Sequence, residues 1–211
     1  MSCWATLPTR TDSDDLIMGP VTFVLDRERL ITVRYHEPRA FAIFPSRAEK
    51  ANMGCSDAAS VLLGLLETSV DRLADVLERL QRDIEAVSRG VFQGARGPAG
   101  LSDGLQDVLR EIGRKGDVVS NLMDSLATLQ RMGGYFSQVA LQRGMPKDHR
   151  ARIRTLARDV QSLVDHASFL SQKTTFLLDA TLGFINIQQN ATIKIFSVVA
   201  VVFLPPTVIV S

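Results

Sequence analysis

The chain has 211 residues, a formal net charge of +1 and a hydrophobic content of 45%. That length allows one or two domains, and the near-neutral balance excludes the basic stripe expected of a nucleic-acid binder. Trp4, Tyr35 and Tyr135 are the only Trp and Tyr side chains, too few for a base-stacking surface.

Met1 to Gly19 show no clear period, and Asp12, Asp14 and Asp15 read as loop. No basic start followed by an apolar run marks a secretory signal. Cys3 and Cys55 lack metal-ligand spacing and are too few for a disulfide framework, which fits a reducing compartment. The part ahead of the terminal apolar segment is therefore expected in the cytoplasm. Val21–Leu25 and Leu30–Tyr35 are β-branched and aromatic runs around a turn at Asp26–Arg29, a hairpin pattern. Two strands alone are marginal in water, so the rest of their sheet is expected from outside this sequence.

Helix is expected from near Cys55, with Ser56 as N-cap. Val70, Leu73, Leu77, Leu80, Ile84, Val87 and Val91 form a heptad seam that implies helix-on-helix packing. Gly94 to Gly100, with Pro98, breaks it. This is a connector between helices rather than a phosphate cradle. A second helix is expected from about Ser102 to Gln142, with Leu105, Val108, Leu109, Ile112, Val119, Leu122, Leu126 and Leu129 on its apolar face. Gly144-Met145-Pro146 is short enough to set the next helix antiparallel. That third helix keeps its seam from Ile153 to Phe184. Continued to Phe203 it has about 55 residues and a length of roughly 80 Å.

Candidate chemistry is sparse. His36, His149 and His166 have no spacing suited to a metal, and no nucleophile motif surrounds any serine, so an enzyme is not expected. Asp71, Asp75, Glu78, Asp83 and Glu85 alternate with Arg72, Arg79 and Arg82. This is either a solvated face of ion pairs or a cation-sensing surface holding a hard ion through carboxylates and water.

The last thirty residues carry the strongest signal. Asp179, Asn186, Gln188, Gln189 and Asn190 precede a segment, Ile195 to Val210, that is apolar on every side. A span needs about 20 apolar residues, so the chain is expected to stop inside its first membrane crossing. Lys173 and Lys194 on its N-terminal side agree with a positive-inside orientation. Asn190 from several copies would make a polar collar, with Ile193, Phe196, Val199, Ala200, Phe203 and Leu204 a hydrophobic constriction beyond it. Lipid-facing packing is the competing reading. Pro205-Pro206 frees a backbone carbonyl that needs a neighbour in the bilayer, which favours an oligomer.

Leu178-Asp179, Asn190, Lys194 and Phe203-Leu204-Pro205-Pro206-Thr207 together resemble the CorA family of magnesium and cobalt channels. Gly183-Phe184-Ile185-Asn186-Ile187 is similar to its proteobacterial branch. The resemblance covers nearly all but the first twenty residues. It implies a homopentamer in the inner membrane, with its N-terminal part cytoplasmic and a long helix that becomes the first, pore-lining span. The pore-lining residues it implies are Asp179, Asn190, Ile193, Phe196, Leu204 and Thr207. Mg²⁺ is implied as both cargo and regulatory ion, with no other cofactor, and Co²⁺ or Ni²⁺ as further cargo. The resemblance assigns the regulatory metal site to no particular residue, since Asp159 and Asp165 are out of register. The family's Gly-Met-Asn signature and second span are absent, so a truncated subunit is expected. A related Zn²⁺ transporter, or a membrane-anchored coiled-coil scaffold without transport activity, are the alternatives.

The expected fold is mainly α: long antiparallel coiled helices leading into a transmembrane helix, with a hairpin remnant of an N-terminal α/β domain. The expected divisions are 1–50 for that remnant, 51–192 for the helical stalk and 193–211 for the crossing.

Overall fold

The structure is a computed structural model that describes residues 1–10, 17–26, 28–51, 55, 57–94 and 101–209, with side chains at the far end described as far as residue 199. Three strands come first: β1 (Ser2–Arg10), β2 (Ile17–Leu25) and β3 (Leu30–Arg34). They form one antiparallel sheet in the order β1-β2-β3. The hairpin β2–β3 is the expected one, and Asp26 N donates to Arg29 O at 2.9 Å where it turns. Strand β1 forms where no period shows, and by adding a third strand from this chain it corrects the expectation that the rest of the hairpin's sheet comes from outside this sequence. Its inward set is short, with Ala5 and Leu7 fully buried, and Pro8 sits beside a register shift. The alternation is too brief to show as a period. Asp12, Asp14 and Asp15 lie outside the described residues.

Ala5, Leu7, Val21, Phe23 and Leu25 turn one sheet face into the core. The edge of β1 is capped by a helix. Thr6 N donates to Thr128 Oγ1 at 3.0 Å, and Ser125 Oγ donates to Thr6 O. Those two hydroxyls satisfy backbone groups that a bare edge would expose.

Helix α1 (Arg39–Ala51) lies ahead of Cys55, where helix is first expected, and Pro45 lies inside it. Burial holds it in place. Phe44 rests on Gly64 so closely that a Cβ there would lie 2.5 Å from the ring. Next come α2 (Ala58–Gly94), α3 (Leu101–Gln142) and α4 (Lys147–Ile209). Ser56, the expected cap of α2, lies outside the described residues, and Asp57 caps the helix instead. Ser60 N donates to Asp57 Oδ1 at 2.7 Å and Asp57 N donates to Ser60 Oγ at 3.1 Å, a reciprocal box.

The heptad seam of α2 is buried from Val70 to Val91, facing Leu122 and Leu126 of α3 and Ile153, Leu156 and Val160 of α4 in one core. Helix α3 ends on Gly144 at φ 61°, with Met145 N donating to Ala140 O and Gly144 N to Leu141 O. That is a Schellman ending, and it reverses the chain. Gln130 then meets Gln161, while Gly116 lies against Thr174, so α3 and α4 run antiparallel as expected. Helix α2 meets α4 in the other sense. Glu67 reaches Arg152 and Glu85 reaches Lys173, so these two helices are parallel. The fold is mainly helical with a small three-stranded sheet.

Candidate functional site

Helix α4 has two environments. Its first part is bundle. Ile153, Leu156, Val160, Ala167, Leu170 and Leu177 are buried, as are Thr174 and Thr181. The two threonines donate back to the carbonyls of Leu170 and Leu177, which satisfies their hydroxyls inside the apolar seam. The Glu67–Arg152 pair anchors this part to α2 by two parallel bonds of 2.9 and 2.7 Å. The bonds raise the Arg152 pKa against the opposing effect of desolvation. The bundle ends in aromatics. Phe92, near the end of α2, stacks on Phe176 and meets Phe184 edge-on, with centroids 6.3 and 6.1 Å away.

Beyond Phe184 the described residues leave the helix largely uncovered. Residues 186 to 199 are exposed except for the half-buried Gln188. Ile193 is 62% exposed, Ile195 65%, Phe196 70% and Val198 64%. Apolar side chains bared around a whole helix mark a surface made for another apolar environment or for partner helices. Polar residues come first along the exposed side of α4. Asp179 and Asn190 are both exposed, and neither has a hydrogen bond or ion pair within the described residues. At 3.6 residues per turn, Asp179, Asn186, Asn190 and Ile193 share one stripe, with Phe196 about 60° to the side of Ile193. Ser197 falls on the same stripe, and sequence reading passed over it. Its Oγ donates to Ile193 O at 2.9 Å, so the hydroxyl is turned onto its own helix.

The sequence-derived site residues are thus partly assembled. Asn190, Ile193 and Phe196 are exposed on α4 beyond Phe184, and Asp179 is exposed on its bundled part before it, carboxylate and amide before apolar. Leu204 and Thr207 lie outside the residues whose side chains are described. Among the described residues, no helix is long and apolar enough to cross a membrane. The acidic face of α2 is an ion-paired face. Asp71 meets Arg47, Asp75 meets Arg72, Asp83 meets Lys115 and Glu85 meets Lys173. The bond from Gln81 leads the effects that lower the Glu85 pKa. No group of three or more His, Cys, Asp or Glu suited to a metal occurs among the described residues.

Comparison with known proteins places this arrangement in context. Residues 2–211 match the family model described as CorA-like Mg²⁺ transporter protein. The magnesium transport protein CorA of Yersinia pseudotuberculosis is 37% identical over 201 residues, covering 95% of this chain and 61% of the relative. CorA of Escherichia coli K12 is 37% identical over 191 residues, covering 90% of this chain and 58% of the relative. The chain therefore spans about three fifths of the length of these curated relatives. The complete CorA structure from Methanocaldococcus jannaschii superimposes with a TM-score of 0.79 over 99% of this chain and 63% of that one. At 16% identity this likeness is one of fold.

Proposed function

This chain belongs to the CorA-like Mg²⁺ transporter family, and from that premise we propose that it serves as a subunit of a homo-oligomeric divalent-cation channel whose ion path is lined by the exposed stripe of α4. The family consists of transporters, not enzymes. The observation that supports the reading is that Asp179, Asn190, Ile193 and Phe196 follow one another on a helix surface that the described residues leave exposed.

Copies arranged about an axis along α4 turn the stripe inward. A ring of Asp179 carboxylates raises the local cation concentration. A ring of Asn190 amide oxygens accepts hydrogen bonds from the waters around the ion. Mg²⁺ gives up its water reluctantly, so a ring that recognises the hydrated ion avoids that cost. Ile193, Phe196 and Leu204 form the apolar constriction, which closes by dewetting, and Thr207 offers a hydroxyl beyond it. The proposal includes five copies, an inner-membrane location with the N-terminal part cytoplasmic, Co²⁺ and Ni²⁺ as further cargo, and Mg²⁺ as regulatory ion. The exposed Ile195 and Val198 support the membrane assignment, since they need an apolar surround on the side away from the stripe.

The test is Mg²⁺ flux into vesicles through the complete transporter subunit, with Asn190→Ala against the unaltered protein. Loss of the amide ring should change flux by about tenfold, equivalent to about 1.4 kcal/mol, with the oligomer intact. Unchanged flux through an intact oligomer rejects the assignment. Altered assembly with no flux in either protein favours a scaffold.

A further inference from the structure

The first turns of α4 carry a second feature, at the end of the helix remote from the stripe. Arg150, Arg154 and Arg158 repeat every fourth residue and so form a row on one side of the helix. Arg154 Nε donates to Arg150 O at 3.2 Å, and Arg158 Nε to Arg154 O at 3.4 Å. These bonds lay two guanidinium groups along the helix, and Arg158 Nη2 also donates to Thr155 Oγ1 at 3.2 Å. Arg150 Nε is buried and has no hydrogen-bond partner. Among the described residues, no carboxylate lies within ion-pairing distance of the three. Asp148 and Asp159, the acids of the same turns, pair with none of them. Arg152 of the same turn behaves differently, since Glu67 holds it by both ends.

Such a row works against the fold. Like charges four residues apart weaken a helix, and cations near its N-terminus oppose the helix dipole. A local rule broken without a compensating contact points to a functional role. The arginines also line a hollow. Adjoining grooves of about 260 and 600 Å³ run between the end of α3 and the start of α4, sharing Ser137 and Arg154 as walls, with Arg150 in one and Arg158 in the other. Guanidinium forks match phosphate oxygens in pairs, and forks about 6 Å apart along a helix can converge on one multivalent anion.

We propose that this groove binds a small phosphate-bearing anion through Arg150, Arg154 and Arg158. A bound phosphate gives the three guanidinium groups a counter-charge and removes the repulsion along the row.

The test is calorimetric titration of inorganic pyrophosphate into the whole chain, without Mg²⁺ and at constant ionic strength. One site per chain is expected. Arg150→Gln combined with Arg154→Gln should weaken binding at least tenfold, the loss expected of two charge-assisted contacts. Arg114→Gln on α3, outside the groove, should leave the affinity unchanged. If the double variant fails to fold by circular dichroism, Arg158→Gln alone, at an exposed position, should still weaken binding several-fold. Absence of binding to the unaltered chain, equal loss in Arg114→Gln, or full affinity in the folded groove variants overturns the proposal. Titration with ADP and with orthophosphate then separates the sources. Tighter ADP binding assigns a nucleotide, and equal orthophosphate binding assigns a free oxyanion.

Discussion

Single residues fix the joints of this fold, and two can be tested directly. Asp57 satisfies the first turn of α2 through Ser60. Asp57→Ala should lower stability by about 1 kcal/mol, which a thermal melt reads as a drop of about 2–4 °C for a chain of this size. Partial burial pushes the Asp57 pKa up, but the Ser60 hydrogen bonds and the nearby His149 outweigh it and hold the value below the ordinary 3.8. A carboxyl depressed in the folded state stabilises fully above its unfolded value, and that contribution is lost as the pH falls through the lower, folded value. Asp57→Asn keeps the capping oxygen without the charge. The stability gap between it and the unaltered protein should therefore be present at about pH 6 and shrink as the pH drops below about 4. A gap independent of pH would show that the charge contributes nothing. The second residue is Glu67. Its pair with Arg152 is about three-quarters buried on both sides, so Glu67→Gln leaves a guanidinium short of its carboxylate. The expected cost is about 1–3 kcal/mol, measured by denaturant midpoint. The start of α2 was legible to within a residue, but the Glu67–Arg152 pair was not. Glu67 and Arg152 are 85 residues apart, and no local pattern links them.

The helices were the most readable elements. The α2 seam from Val70 to Val91 is buried as its spacing requires, and so is the seam of α4 as far as Leu177 apart from the half-buried Leu163. Periodicity reports one buried face, and these faces are buried. It missed elements that tertiary contact creates. Strand β1 exists because Ala5 and Leu7 fill the sheet's inner face and because Ser125 and Thr128 cap its edge. Helix α1 survives Pro45 because Phe44 packs on Gly64. Gly64→Ala should push Phe44 off its seat and destabilise by about 1–3 kcal/mol. Unchanged stability would mean that α1 adjusts without loss. The α3–α4 joint makes a sharper case. Gly144 sits at φ 61°, where a Cβ costs about 1–2 kcal/mol. Gly144→Ala should lose about that much, while Gly144→Asn, which tolerates the left-handed region, should lose less. The order of the two variants in a thermal melt decides the point.

At the scale of the whole molecule, the sequence indicated one long helix and a change of solvent along it, and the helix does run from Lys147 to Ile209. It did not indicate that α2 lies parallel to α4 while α3 lies antiparallel, because chain order alone does not say which helices share a groove. The consequence is a three-helix bundle that ends at the Phe92 aromatics and releases α4 alone. The candidate site was legible as a list of residue types, since carboxylate and amides before an apolar run appear in any reading. Its geometry was not, because a stripe lines a path only when several copies meet, and one sequence carries no trace of its neighbours. Membrane-inserted protein carrying single cysteines at 186 to 199, with Cys3 and Cys55 replaced by serine, tests that meeting directly. Disulfide cross-linking between copies should peak at 186, 190, 193 and 197 and be weak at 188 and 195, following the helical period about a central axis. Cross-linking that is uniform along the helix, or strongest at 188 and 195, would contradict an inward-facing stripe and with it the channel.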